Sequence, residues 1–343
     1  MPIVLQETLR AVFYAPFYAA LALDAYGEEG VEVRLVTAPT PAQAAQGLAD
    51  GSVDVGWGGP MRVMLTNEQD PACDLVCFCE VVTRDPFFLL GRSPCAHFKP
   101  ADLMGRRVAI VSEVPTPWMC LQEDLRRDGL DPAKLDRVTG RTMPQNAALL
   151  RGGDIEVAQL FQPFVEELVE DGAGHIWYAA AARGATSYTC LYARRSRLAE
   201  RRDACHRMVR ALYRTLRWVH AVTGAEIAAA IASYFPDVPR QRLANALERY
   251  KALGIWGTDP ILPQAGYERL RASLLSGGLI ERGAPYEVAV DNALSERVLN
   301  EDPPALARSC GRVYAKPVGA GPGACFHGQQ RRRQARARSG ERP

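Results

Sequence analysis

Apolar residues in the first ninety positions follow two spacings. Ile3 to Gln6 reads as a strand. Val31, Val33 and Leu35 alternate with Glu32 and Arg34, and Val53, Val55 and Trp57 alternate with Ser52, Asp54 and Gly56. A period of two marks half-buried strands. Between these runs Phe13, Tyr14, Phe17 and Tyr18 fall at helical spacing around Pro16. That helix is expected to continue through Asp24 and stop near Gly27. Thr40 and Pro41 suit the N-cap and first position of an Ala/Gln-rich helix over 42–49. After Trp57, Gly58 and Gly59 break the alternation and Pro60 opens a helix to about Thr66. The order βαβαβα predicts an α/β fold with a parallel, doubly wound sheet and ligands at the carboxyl ends of its strands.

The pattern then repeats with interruptions. Asp74 to Val82 is a predicted strand, Thr83-Arg84-Asp85-Pro86 punctuates it, and Phe87 to Gly91 continues extended. A second βα series follows: strand Arg107 to Val111, a helix to Asp128, a short helix Asn146 to Arg151, strand Glu156 to Phe161, and a helix Phe164 to Glu170 opened by Gln162-Pro163. Tyr188 to Ala193 is a further strand. From Arg201 the chain reads as mainly helical, over 204–222, 224–234, 239–253 and 263–275. Ala315 to Pro343, rich in Gly, Pro, Gln and Arg, has too little apolar surface to fold and is expected to be a disordered tail.

Gly51 to Met64 is the most informative corner. A strand that ends in two glycines and opens into a helix leaves backbone N–H groups facing outward, and the missing Cβ atoms allow close approach. The chain's 343 residues suit two domains of ordinary size, and 48% hydrophobic with 23% charged residues fits a globular protein. The formal charge of +2 is uneven, because Gln329 to Pro343 holds six Arg and one Glu. The folded body therefore carries no electrostatic footprint for nucleic acid. Nine cysteines without framework spacing read as reduced, buried thiols. The N-terminus runs into a strand without a secretory signal, so the chain as written is expected in the cytoplasm, or in the periplasm if translation starts upstream with a signal. No run is long and apolar enough for a transmembrane segment.

Several stretches together carry a family resemblance: Phe13-Tyr-Ala-Pro-Phe-Tyr-Ala-Ala-Leu21, Gly27-Glu-Glu-Gly-Val-Glu-Val33, Leu48-Ala-Asp-Gly-Ser-Val-Asp-Val-Gly56, Asp102-Leu-Met-Gly-Arg-Arg-Val-Ala-Ile110 and Leu150-Arg-Gly-Gly-Asp-Ile-Glu-Val157. In their order and spacing the chain resembles the sulfonate- and nitrate-type substrate-binding proteins of ABC importers, and equally the thiamine-pyrimidine synthases that share their fold. The resemblance implies a two-lobed type II periplasmic-binding-protein-like fold with a central interlobe cleft. One lobe would comprise 1–87 plus 190–303 and the other 88–189, leaving 304–343 as a disordered basic tail. The synthases use a lysine that carries pyridoxal phosphate and, four residues on, a histidine consumed as substrate. Those positions fall here on Gly58 and Arg62, and glycine has no amine for a Schiff base. The synthases' iron-associated cysteine run corresponds to Thr186-Ser-Tyr-Thr-Cys190, with one thiol.

The expectation is thus non-catalytic binding of a small polar or anionic molecule, of the sulfonate, pyrimidine or thiamine-precursor class, without a cofactor. The partner would be an ABC permease. The alternatives are a thiamine-pyrimidine enzyme with replaced catalytic residues and a cytoplasmic ligand sensor. Gly58, Gly59, Thr40 and the helix start at Thr116 are candidate ligand contacts. Phe13 and Tyr14 either line the cleft or pack on the sheet. Trp118 offers an apolar wall, or is simply packed behind an N-cap. Arg62 and Arg84 are the nearest cations for an anionic group. Asp85, Gln162 and Tyr188 lie at the crossings and would make single hydrogen bonds. Cys73, Cys77 and Cys79 lack a fourth ligand at zinc-site spacing, so no metal is expected. The scattered histidines, and the absence of a nucleophile elbow or phosphate loop, leave hydrolase, kinase and dehydrogenase readings unsupported.

Overall fold

A computed structural model describes residues 1–40, 43–70 and 72–307. The described strands are β1 (Ile3–Glu7), β2 (Val33–Thr37), β3 (Val55–Gly58), β4 (Leu75–Val82), β5 (Phe88–Gly91), β6 (Arg107–Ala109), β7 (Asp136–Val138), β8 (Val157–Leu160), β9 (His175–Ala179) and β10 (Thr189–Arg194). They form two five-stranded sheets, ordered β2-β1-β3-β10-β4 and β7-β6-β8-β5-β9. Helices cover both, giving two α/β lobes.

Neither sheet is purely parallel, which corrects the expectation from the βα order. β1 is parallel to β2 and β3, and β6 to β7 and β8. β10, however, runs antiparallel to β3 and β4, and β5 antiparallel to β8 and β9. The reason lies in the two crossings. β4 leads into β5, and β9 into β10, with no crossover helix between them, so each arriving strand runs against the parallel set.

β7 and β9 have no counterpart in the sequence reading. The first helix also departs from it: it covers Ala15–Ala22, breaks where Asp24 adopts a left-handed φ of 57°, and restarts over Ala25–Glu28. Aspartate tolerates that region better than most residues. The Ala/Gln-rich helix is reduced to Gln46–Ala49, and the Thr40 hydroxyl bonds the Gln43 side chain (2.9 Å) instead of capping it. Pro41 and Ala42 lie outside the described residues.

The first sheet buries Trp57 under the aromatic helix, where Phe17 stacks on it with ring centroids 4.6 Å apart. The helix Arg202–Ala221 presents Cys205, Met208, Val209, Leu212, Leu216 and Val219 as a buried stripe at helical spacing. The last helices span both lobes. Arg240–Ala252 packs on Phe164–Glu170, and Gln264–Ser276 packs on Thr116–Arg127 and on Pro60–Gln69. Arg242 Nε donates to Glu170 at 2.8 Å, and Arg249 pairs with Glu166. The ordered body extends beyond residue 303, where the tail was expected to begin. Leu306 is buried and its N–H donates to Arg214 O, while Arg214 Nε donates to Pro304 O at 3.2 Å. The rest of the expected tail, 308–343, lies outside the described residues.

Candidate functional site

β3 ends at the junction of the two lobes. Pro60 starts the helix Pro60–Gln69, whose N-cap is Gly59. The glycines of this strand serve close packing, and none adopts a left-handed backbone. A Cβ on Gly56 would lie 2.8 Å from Tyr192 Cζ, one on Gly58 would lie 2.9 Å from Thr8 Oγ1, and one on Gly59 would lie 3.3 Å from Tyr188 O. Gly58 is paired with Cys190 in the β3–β10 ladder. Gly59 O accepts from Arg62 N–H at 2.9 Å. The diglycine therefore makes room for β10 and its incoming crossing. The expectation that Gly58 is bare backbone for a ligand is corrected on this point.

Tyr14, Arg62, Thr189 and Tyr192 gather around the end of this strand, all buried. Burial raises the Tyr14 hydroxyl pKa strongly, and the nearby Arg62 charge opposes the rise. The same two effects leave Tyr192 pushed up to about 12. Both phenols are thus neutral donors across the physiological range. Tyr188 Oη, Thr189 Oγ1 and Tyr192 Oη are buried and make no well-aligned hydrogen bond, although Thr189 lies next to the Tyr14 hydroxyl and Thr8 next to that of Tyr192. A buried hydroxyl in that state costs about 1–3 kcal/mol.

Beside them, aromatic rings from both lobes meet. Phe13 approaches Phe161 edge-on with centroids 5.6 Å apart, and Phe87 and Tyr188 lie at 6.3 and 6.4 Å. Phe13 is held from behind by Trp256 Nε1, which donates to its carbonyl at 2.9 Å.

The remaining expected residues are placed elsewhere or engaged. Asp85 accepts from Phe87 N–H (3.0 Å) and from Arg183 Nη1 (2.8 Å), and Arg183 also forks onto Asp124. Burial raises the Asp85 pKa and the Arg183 charge opposes it. Asp85 is a locked crossing residue. Gln162 spends its side chain on Glu166 and donates its N–H to Tyr250 Oη at 3.0 Å. Arg84 is exposed beside Gly254; in an extended crossing, neighbours point oppositely, so inward Asp85 sends Arg84 outward. Thr40 is exposed and bonded to Gln43. Thr116 is buried in the first turn of its helix, behind Pro115 as N-cap. Trp118 lies under Arg137, whose guanidinium carbon is 4.5 Å from the ring centroid, which matches the packed reading.

Sequence reasoning missed Thr189 and Tyr192, and on the other lobe Glu113 and Asn146. Glu113 Oε1 accepts from Met143 N–H at 2.6 Å, Asn146 Nδ2 donates to Ile110 O at 3.2 Å, and each keeps one buried oxygen unpartnered. A signal for Tyr192 did exist: a strand aromatic facing two glycines across a pairing fills the space they leave. Outside the cleft, a cavity of about 480 Å³ lies between β1–β2 and residues 43–53. Among the described residues no group of three or more His, Cys, Asp or Glu could hold a metal, and no helix is long and apolar enough to cross a membrane.

The comparisons fit this geometry. The NMT1/THI5-like family model matches residues 13–222. YtlA of Bacillus subtilis (strain 168), provisionally named a binding protein, is 25% identical over 297 residues, covering 86% of this chain and 89% of its own. The alkanesulfonate-binding protein SsuA of Xanthomonas axonopodis pv. citri, solved bound to MOPS, superposes with a TM-score of 0.66 at 15% identity, over 85% of this chain and 98% of its own. The desulfurization enzyme DSZB superposes at 0.61 with 16% identity, over 87% and 99%. At such identities the structural likeness speaks to the fold.

Proposed function

The chain belongs to the NMT1/THI5-like family, and on that premise we propose that it binds a small polar or anionic molecule between its lobes without transforming it. The lobes are taken as 1–87 with 190–303, and 88–189. The observation that carries this reading is the buried cluster at the end of β3, where Tyr14, Thr189, Tyr192 and Arg62 converge beside aromatic rings from both lobes. The buried hydroxyls of Tyr188, Thr189 and Tyr192 lie there as well, and each can donate to a ligand oxygen. The names of YtlA and SsuA support a binding role, and the SsuA likeness supports service to an ABC-type permease. A thermal-shift screen of sulfonates, carboxylates, pyrimidines and nitrate tests it. A ligand at a hundredfold excess over its Kd stabilises the fold by about 2.7 kcal/mol. A panel in which nothing moves the melting point overturns the reading.

A catalytic relative is the second reading, prompted by the likeness to DSZB. Gly58 and Arg62 occupy the positions where the thiamine-pyrimidine synthases keep lysine and histidine, so a pyridoxal-phosphate Schiff base has no amine there. Incubation with pyridoxal phosphate, followed by borohydride and mass spectrometry, decides the point. Stoichiometric adduct at one buried residue would favour the enzyme.

A further inference from the structure

We infer that the cavity between β1–β2 and residues 43–53 is a second binding site, separate from the cleft, for a small zwitterion of the aliphatic amino-acid class. The inference goes beyond the function proposed above and does not depend on it. It starts from the period of β1. Ile3 and Leu5 join the core under the aromatic helix and Glu7 meets Tyr18 there, so the alternate residues Val4 and Gln6 face the other way. β2 is in register with them, Val4 opposite Arg34 and Gln6 opposite Val36, and these four residues line one side of the cavity. The other side is the arch of residues 43–53, fastened just ahead of β3. Val53 N–H donates to Gly47 O at 2.9 Å, and Ser52 N–H donates to Asp50 Oδ1 at 2.9 Å. A Cβ on Gly47 would lie 2.7 Å from Val53 Cγ2, so the glycine lets the arch sit close. At about 480 Å³ the space has the size of small-molecule sites, about 300–1,000 Å³. None of its lining residues belongs to the cluster at the end of β3.

The lining chooses the ligand. Gln6 is 6% exposed and its Oε1 has no hydrogen-bond partner. A buried amide oxygen in that state calls for an N–H or O–H donor from whatever enters. Arg34 and Asp50 bring one charge of each sign, from β2 and from the turn ahead of β3. Neither is in an ion pair among the described residues. Hydrogen bonds from Ser52 hold the Asp50 carboxyl below its usual range, so it is ionised at neutral pH. A ligand with a carboxylate for Arg34 and an ammonium for Asp50 or Gln6 Oε1 is matched at both ends. A simple anion or cation satisfies one end and meets a like charge at the other. Between these polar groups, Val4, Val36 and Val53 offer apolar surface to an aliphatic side chain.

The test uses the full chain, titrated by calorimetry at neutral pH with three probes. Leucine is the zwitterion, isocaproate is leucine without its ammonium, and isoamylamine is leucine without its carboxylate. Leucine is expected to bind, and each truncated probe to bind about fivefold more weakly, having lost one exposed charge contact. Gln6→Met keeps the shape and removes the amide, and should weaken leucine by about tenfold. Arg34→Gln and Asp50→Asn should each weaken it by about threefold to fivefold. Both residues are exposed, so they keep the test open if Gln6→Met fails to fold. Tyr192→Phe, in the cleft, should leave leucine binding as it is. A chain that takes up no leucine overturns the site. So does leucine binding that is unchanged in all three cavity variants, and equal or tighter binding of isocaproate or isoamylamine overturns the zwitterion. Leucine binding lost in Tyr192→Phe and kept in the cavity variants would move the ligand to the cleft, so the second site would fall while binding between the lobes gained support.

Discussion

At the residue scale, the group with the clearest consequence for stability is Glu80. It sits in β4 beside Cys190 of β10, 2% exposed, with Oε1 lacking a partner. Burial drives its carboxyl up to about 8, the Ser187 and Thr83 hydroxyls oppose the rise and Asp259 adds to it. An unfolded glutamate titrates near about 4.3. Between those values the folded chain holds a proton that the unfolded chain has released, so stability falls as pH rises through the window and levels off above it. We predict that urea-unfolding free energies from about pH 5 to pH 8 fall more steeply for wild type than for Glu80→Gln, by at most about 1.4 kcal/mol per pH unit. Parallel curves would refute the assignment. Gly56→Ala is the packing counterpart. Its Cβ would meet the Tyr192 ring at 2.8 Å, and overpacking of this kind costs about 1–3 kcal/mol. A melting point equal to wild type would show that the ring yields freely. Both residues illustrate what a sequence conceals. Gly56 was legible as a strand glycine, but the ring it accommodates lies more than a hundred positions away. Arg62 and Arg84 looked alike as cations near the cleft, and only the backbone direction of each segment separates a buried guanidinium from a solvated one.

At the scale of elements, the parallel strands of the first sheet were legible, helped by clean alternation such as Val53-x-Val55-x-Trp57. β7 and β9 were not, and the cause is their position. Both lie at the edges of the second sheet. β7 carries Asp136 and Arg137 outward, and β9 is partly covered along its whole length, so neither shows a buried period. The crossings were legible as punctuation at Thr83 to Pro86, but their fastening was not, since Asp85 and Arg183 meet across ninety-eight positions. That fastening yields a prediction. Arg183 side-chain exposure is 6% and that of Asp85 is 1%. Removing one partner of a buried pair strands the other charge, at about 3–5 kcal/mol. Arg183→Met should cost that much in chemical denaturation, and Asp85→Asn less, because Arg183 retains Asp124. A loss below about 1 kcal/mol for Arg183→Met would mean that water reaches the site and screens it.

At the scale of the whole molecule, two lobes joined by two crossings would ordinarily be free to unfold separately. The C-terminal helices argue otherwise here. Arg240–Ala252 rests on the helix after β8, with Arg242 and Arg249 fixed to its acidic face, while Gln264–Ser276 is shared between the helices Pro60–Gln69 and Thr116–Arg127. Arg126 Nη1 adds a bond to Ser276 at 3.1 Å. Phe13, Phe87 and Phe161 close the same interface from inside. A lobe that unfolded alone would have to expose these surfaces on its partner, so partial unfolding loses most of what total unfolding loses. We therefore predict a single urea transition. The tryptophans make it testable by position: Trp57, Trp218 and Trp256 pack with the first sheet and its helices, and Trp118 and Trp177 with the second. Fluorescence of the Trp118→Phe, Trp177→Phe double variant reports mainly the first lobe, and its midpoint should coincide with that of far-UV circular dichroism on the same protein. Midpoints that separate would make the lobes independent units, and the C-terminal helices a surface covering of one of them. The same experiment in Arg242→Ala, Arg249→Ala sets the direction of the coupling. Those arginines pair with Glu170 and Glu166 of the opposite lobe, so their loss should lower both midpoints together if the helices bind the lobes into one cooperative unit.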